Sequence, residues 1–227
     1  MANKPSQPPS PGPDNGTGIW RSAAALGLIA VLGTGVLALV HEVTRERIAE
    51  QEQRTMSRQL NEILDRRSYD NSLHEDVVTV RDATAFPGGQ TVRVYRARRD
   101  GEPVAAVLWL GAPDGYNGWI DLLVGVTWDG VVTGVRVTWH NETPGLGDGI
   151  ETARSDWVHA FAGRSLSDPP PARWKVRKEG GDFDQFTGAT ITPRAVVNAV
   201  ARALAWFGEH RDTLFARPAE ESAESAS

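Results

Sequence analysis

The hydrophobic positions of this chain follow three patterns in turn: one solid apolar block, then alternation, then helical spacing. The block runs without a charge from Ser22 to Val40, between Arg21 and His41-Glu42. At about 1.5 Å per residue such a run nearly spans a hydrocarbon layer of roughly 30 Å. Trp20 stands at its edge, where amphipathic rings settle at a membrane interface. A cleaved signal peptide is the other reading, with Val36-Leu37-Ala38 as an acceptable cleavage site. The run is longer than the roughly 7–15 apolar residues of such a peptide, and its start is not notably basic. The pattern predicts a single transmembrane helix over residues 20–41. Charge does not orient it. Lys4 and Arg21 precede it, while Arg45, Arg47, Arg54 and Arg58 follow it, interleaved with Glu42, Glu46, Glu50 and Glu52.

Residues 1–19 are rich in Pro, Gly, Ser and Asn, which predicts a disordered tail. From Val43 to Leu64 the chain is polar and helix-favouring, with a thin apolar stripe at Ile48, Met56, Leu60, Ile63 and Leu64. This predicts a helical connector over residues 42–75. Alternating segments follow at Val77–Val80, Thr91–Arg96, Val104–Leu110, Ile120–Trp128 and Val131–Trp139, all predicted strands. Asp129-Gly130 is a two-residue hairpin signal between the last two. Ile150, Ala153, Trp157, Val158 and Phe161 have helical spacing, predicting an amphipathic helix over 150–162. Ser167–Ala172 predicts a surface loop and Trp174–Arg177 a short strand. The last helix is predicted from Pro193 to about His210, on the stripe Val196, Val197, Val200, Ala203, Leu204 and Phe207. Residues 216–227, rich in Ala, Glu and Ser, predict a second disordered tail. The fold class is α+β: one N-terminal transmembrane helix, then one domain over 76–215 with a mostly antiparallel sheet and packed helices.

Composition narrows the chemistry. The net charge of −5 and the lack of an extended basic patch argue against nucleic acid as a partner. Arg173, Lys175, Arg177 and Lys178 form a local basic run, either a solvated strand face or a contact with an anion. With no cysteine, disulfides and Cys-ligated metal centres are excluded, and five His without metal-like spacing predict no metal site. A redox role would therefore need an organic cofactor. Eight tryptophans are many for this length. Trp109, Trp119, Trp128 and Trp139 fall in strand contexts, each either packing in the core or stacking on a ring system.

Two loops carry candidate chemistry. Asp184-Gln185-Phe186-Thr187-Gly188-Ala189-Thr190-Ile191-Thr192-Pro193 places three hydroxyls and two minimal side chains just before a helix. Thr192 suits the N-cap and Pro193 the first helical position. A helix start offers free N–H groups and a positive dipole end, which suit a phosphate, but the same pattern also describes a plain capped helix. His140-Asn141-Glu142-Thr143-Pro144-Gly145-Leu146-Gly147-Asp148 lies between the hairpin and the predicted 150–162 helix. It is either one wall of a cofactor pocket or an ordinary turn capped by Asp148.

Taken in order, Gly115-Tyr116-Asn117-Gly118, Glu142-Thr143-Pro144-Gly145-Leu146-Gly147 and Gly180-Gly181 through Thr192, behind one anchor, resemble the RnfG family, the G subunits of Rnf-type ion-translocating electron transport complexes. The C subunit of the sodium-pumping NADH:quinone reductases is a close relative of that family; that subunit, or a tethered binding module without redox work, is the alternative reading. The likeness covers nearly the whole chain. It implies FMN held by a phosphoester to Thr190, the Thr after Gly-Ala, with Asp184 part of the signature read by a flavin transferase that delivers FMN from FAD and releases AMP. It also implies that Thr187, Gly188 and Ala189 lie at the phosphate, and that Glu142, Thr143, Gly145, Leu146 and Gly147 lie at the ring or ribityl chain. The protein would then be an electron carrier, with no catalytic residue and no metal of its own and no activity alone. Its partners would be the other proteins of the complex, the transferase during maturation and membrane lipid, with the FMN domain on the periplasmic side of the inner membrane.

Overall fold

The structure is a computed structural model that describes residues 16–219. The two tails expected to be disordered lie largely outside these residues. The chain divides into two compact units, residues 1–55 and residues 56–227.

Helix α1 spans Gly16–Ile63. Its segment Ala23–His41 has a mean hydropathy of 2.4 and is fully exposed, long and apolar enough to cross a membrane. A strongly apolar helix with no buried face has no protein core to serve, so a membrane is the solvent that suits it. The chain is membrane-anchored through this segment.

The second unit is built on a five-stranded antiparallel meander in the order β1-β2-β3-β4-β5. The strands are β1 Val77–Val80, β2 Val92–Arg99, β3 Glu102–Gly115, β4 Gly118–Thr127 and β5 Val132–His140. Alternation in the strands sorts their side chains onto two faces. One face (Val94, Ala106, Leu108, Leu110, Ile120, Leu122 and Val124) is covered by α2, Ile191–Ala216, through Val196, Val200, Ala203, Leu204 and Phe207. The opposite face (Tyr95, Ala97, Ala105, Val107 and Leu123) is covered by Leu60, Ile63, Leu64, Tyr69 and Leu73. The connector's apolar stripe thus ends as part of the domain's core. Its helix stops at Ile63, and the stretch to residue 75 holds only a short 3₁₀ turn at Arg66–Ser68. Gly125 on β4 makes this docking possible, because a Cβ there would overlap Ile63 Cγ2 and Thr133 Oγ1.

Four expectations are corrected. The hairpin at Asp129-Gly130 is not a two-residue loop. Gly130 N–H donates to Thr127 O at 2.9 Å and Gly130 sits at φ 84°, so the turn ends in a left-handed glycine. No continuous helix covers 150–162. Two 3₁₀ turns, Asp148–Ile150 and Trp157–Phe161, stand there instead. The Ser155 hydroxyl donates to Gly149 O at 2.6 Å and accepts from Trp157 N–H at 3.2 Å, competing with the helical ladder. Trp174–Arg177 is reduced to a single parallel bridge, Val176 to Phe183. Finally, α2 begins at Ile191, with Thr190 rather than Thr192 in the cap position, and continues to Ala216. Its extension past His210 is held from afar. The buried Arg96 donates to Leu214 O and Arg217 O at 2.7 Å each, and Arg98 to Phe215 O at 2.8 Å.

Candidate functional site

The two motif loops meet at one end of the sheet, where β3 turns into β4, β5 leaves and α2 begins. The join is Glu142, which is 5% exposed. One carboxylate oxygen accepts the hydroxyl of Thr192, and the other accepts the backbone N–H of Asn117 at 3.0 Å. Asn117 Nδ2 also donates to Thr143 Oγ1 at 3.2 Å. One side chain thereby ties together the β3–β4 turn, the loop after β5 and the first turn of α2. A carboxylate beside a helix start is also favoured by the helix dipole.

The glycines of the first loop serve this join. A Cβ on Gly147 would lie 2.9 Å from Glu142 Oε2 and 3.0 Å from Thr192 Oγ1. A Cβ on Gly115 would lie 2.8 Å from Glu142 Oε1. These two side chains therefore approach the Gly147 backbone closely. Gly145 holds φ 78°, and its N–H donates to Asp148 Oδ1 at 2.8 Å. Asp148 accepts that bond to close the turn and pairs with Arg154 at 3.4 Å. His140 accepts Glu142 N–H at 3.0 Å and bonds Glu151 at 2.7 Å, fixing where the loop leaves β5.

The second loop is pinned by aromatic residues. Trp157 Nε1 donates to Asp184 O at 2.8 Å, and the Trp157 and Phe186 rings lie 5.4 Å apart. Phe186 packs over Gly149, whose Cβ would sit 2.9 Å from the ring. Gly188 takes φ 82°, a conformation that favours glycine, and a Cβ added there would lie 3.6 Å from Leu146 Cδ2. Thr187 and Gly188 are exposed, while Ala189 and Thr190 are half-buried. Leu146, Ile191 and Tyr116 are exposed apolar side chains on the three elements around this loop.

The three hydroxyls are in different states. Thr192 is 1% exposed and its proton is given to Glu142. Thr187 is exposed in the turn closed by Ala189 N–H to Phe186 O at 3.1 Å. Thr190 occupies the cap position of α2 without a side-chain cap bond. An unused hydroxyl at a helix start, beside a left-handed glycine and an exposed apolar rim, fits a phosphorylated ring system. Leu146 of the first loop stands where it would meet a Cβ on Gly188 of the second, so the two loops border each other here. Glu142 and Gly147 lie beneath, engaged with each other and with Thr192.

The strand tryptophans are elsewhere. Trp128 packs against the last turns of α2, edge-on to Phe215 at 5.5 Å and under Arg211. Trp109, Trp119 and Trp139 stand on the sheet face away from α2, where Trp119 covers Gly111 and Arg93 stacks on Trp109 at 4.5 Å. The roles of Trp157 and Phe186 at the site are not marked by any local sequence pattern, whereas Asn117 is signalled by its Asn-Gly turn. No group of His, Asp and Glu suited to a metal ion exists among the described residues.

The stretch that carries both motif loops is an FMN-binding domain. Residues 115–205 match the FMN-binding domain family, and residues 16–63 match the RnfG N-terminal region. The chain is 52% identical over 198 residues to the G subunit of the ion-translocating oxidoreductase complex of Pseudomonas aeruginosa, covering 86% of this chain and 92% of the relative. It is 47% identical over 201 residues to the corresponding protein of Shewanella loihica, covering 88% and 95%. The Vibrio cholerae protein of the same name is 44% identical over 202 residues, covering 89% and 96%. The chain belongs to the RnfG family, the G subunits of ion-translocating oxidoreductase complexes.

Proposed function

We propose that this protein is the membrane-anchored flavoprotein subunit of an ion-translocating oxidoreductase complex of the Rnf type, with FMN joined by a phosphoester to Thr190. The observation that carries the linkage is the contrast between two threonines. Thr192 is sealed and its hydroxyl proton is committed to Glu142, whereas the Thr190 hydroxyl at the start of α2 is uncommitted and half-exposed.

In maturation, the Thr190 oxygen forms a bond to the FMN phosphorus of FAD on the flavin transferase. The pyrophosphate P–O bond breaks, AMP departs and the hydroxyl proton leaves to solvent. The left-handed turn at Gly188 and the small Ala189 keep side chains out of the incoming group's path. The N–H groups of Ile191 and Thr192 at the helix start favour the phosphate charge. Leu146, Ile191 and Tyr116 offer the ring apolar cover, and Glu142, Thr143, Gly145 and Gly147 hold the wall behind it. Bound FMN supplies electron transfer; the protein supplies position and electrostatics.

The domain stands on the periplasmic side of the inner membrane, tethered in lipid by α1 and engaged with the other proteins of its complex. It is an electron carrier and is not catalytic alone. Ion transport belongs to those other proteins, since one uncharged helix forms no ion path by itself.

Intact-protein mass spectrometry after co-expression with a flavin transferase tests the linkage. The wild type should gain the mass of FMN less water, and Thr190→Ala should gain nothing. An unmodified wild type under those conditions overturns the proposal.

A further inference from the structure

Near Thr190 the arginines are matched one to one with carboxylates: Arg173 with Asp182, Arg177 with Asp184 and Arg154 with Asp148. Arg194 differs. One terminal nitrogen pairs with Glu179, but its Nε is buried without any hydrogen-bond partner. Leaving a buried charged donor unmet costs more than leaving an exposed one, so its position needs an explanation.

Arg194 lies one helical turn after Thr190, and its N–H donates to Thr190 O at 3.2 Å, locking that spacing. Side chains one turn apart are neighbours on a helix surface, with Cβ atoms about 5–6 Å apart. Helical side chains also lean toward the N-terminus, so Arg194 lies over the turn that begins at Thr190. The intervening Pro193 matters too. It is the third helical residue and has no N–H, so it removes one of the donors a helix start ordinarily offers an anion. A phosphodiester on Thr190 would keep one negative charge with fewer backbone donors than usual.

We infer that Arg194 is the positioning residue for the phosphate at Thr190: its guanidinium holds the phosphoryl oxygens while the ester forms and afterwards. The inference rests on Thr190 as the acceptor. Arginine suits the task because its planar fork binds phosphate oxygens in pairs.

The experiment measures the initial rate of flavin incorporation into the full-length protein by mass spectrometry, with purified transferase and FAD. Arg194→Gln should slow incorporation by roughly tenfold or more, the worth of one charge-assisted hydrogen bond. Arg194→Lys, which keeps the charge but not the paired donors, should recover the rate only in part. Glu179→Gln breaks the same ion pair but leaves the guanidinium, so it should incorporate flavin at about the wild-type rate. The ³¹P resonance of the diester should also shift in Arg194→Gln and not in Glu179→Gln. Equal loss in Arg194→Gln and Glu179→Gln would make the ion pair merely structural and overturn the inference. Wild-type rate in Arg194→Gln would overturn it as well. Either failure is distinct from failure of the linkage itself, which appears as an unmodified wild type.

Discussion

The hydroxyl of Thr192 donates to the carboxylate of Glu142, joining residues that lie 50 positions apart in the chain. Both residues are buried, and the contact seats the first turn of α2 on the loop that leaves β5. Its removal is the most direct way to loosen the site without touching the proposed flavin acceptor. Glu142→Ala should destabilise the domain by about 1–3 kcal/mol, because it leaves the Thr192 hydroxyl and the Asn117 N–H without their acceptor. Glu142→Gln should cost less than half as much, since an amide oxygen still accepts one of them. Urea unfolding of both variants checks the ranking.

Thr192→Val should lower stability by a comparable amount and still permit flavin attachment, since the acceptor proposed is Thr190. Peptide mapping of the modified variant should place the added mass on Thr190. Loss of the adduct from a folded Thr192→Val protein would contradict this.

Gly125 and Gly134 make a matched pair under Ile63. A Cβ at Gly125 overlaps Ile63 and Thr133, whereas at Gly134 the nearest atom is 3.5 Å away. Gly125→Ala should therefore cost about 1–3 kcal/mol through overpacking. Gly134→Ala should change stability by less than about 1 kcal/mol, since it meets only ordinary contact. Thermal unfolding in detergent, compared side by side, reads the difference.

Arg96 is 1% exposed, pairs with Asp76 and holds the last carbonyls of α2. Arg96→Met should cost about 1–3 kcal/mol, because it leaves the carbonyls of Leu214 and Arg217 without their donor while Asp76 keeps Arg98 at 2.7 Å. Hydrogen exchange should accelerate first in the amides of the final turn of α2, near Leu214 and Phe215.

Asp82 accepts the N–H of Thr84 at 2.9 Å and of Ala85 at 3.1 Å. The Ala85 and then the Thr84 hydrogen bond hold its pKa below the ordinary carboxylate value of 3.8. A folded-state pKa below the unfolded one means that its stabilisation is fully present above that ordinary value. It disappears as pH falls through the lowered one. The melting temperature of Asp82→Asn should thus lie below that of the wild type near pH 7, and the gap should close in strongly acidic buffer.

Much of this architecture was legible in the sequence because it follows from local periodicity. The uncharged block from Ser22 to Val40 announced α1, and alternation placed all five strands to within a few residues. The stripe from Val196 to Phe207 announced α2. The helix expected over 150–162 failed because spacing does not report what Ser155 does with its hydroxyl. The end of α2 at Ala216 was hidden because its last carbonyls are capped by arginines of β2, more than a hundred residues earlier.

At the site the division is similar. The motif residues from Thr187 to Thr190 and from Glu142 to Gly147 could be marked from their order in the chain, together with the likeness they carry. Their states could not. Glu142 has nothing in its neighbours that declares it a clasp, and Trp157 nothing that declares it an anchor for Asp184. By itself the sequence determined the anchor, the strands and the two loops, since each depends on residues adjacent along the chain. Only the tertiary structure decided which threonine is sealed and which is open. Burial and hydrogen-bond partnership arise when distant segments meet, and no local pattern encodes that meeting.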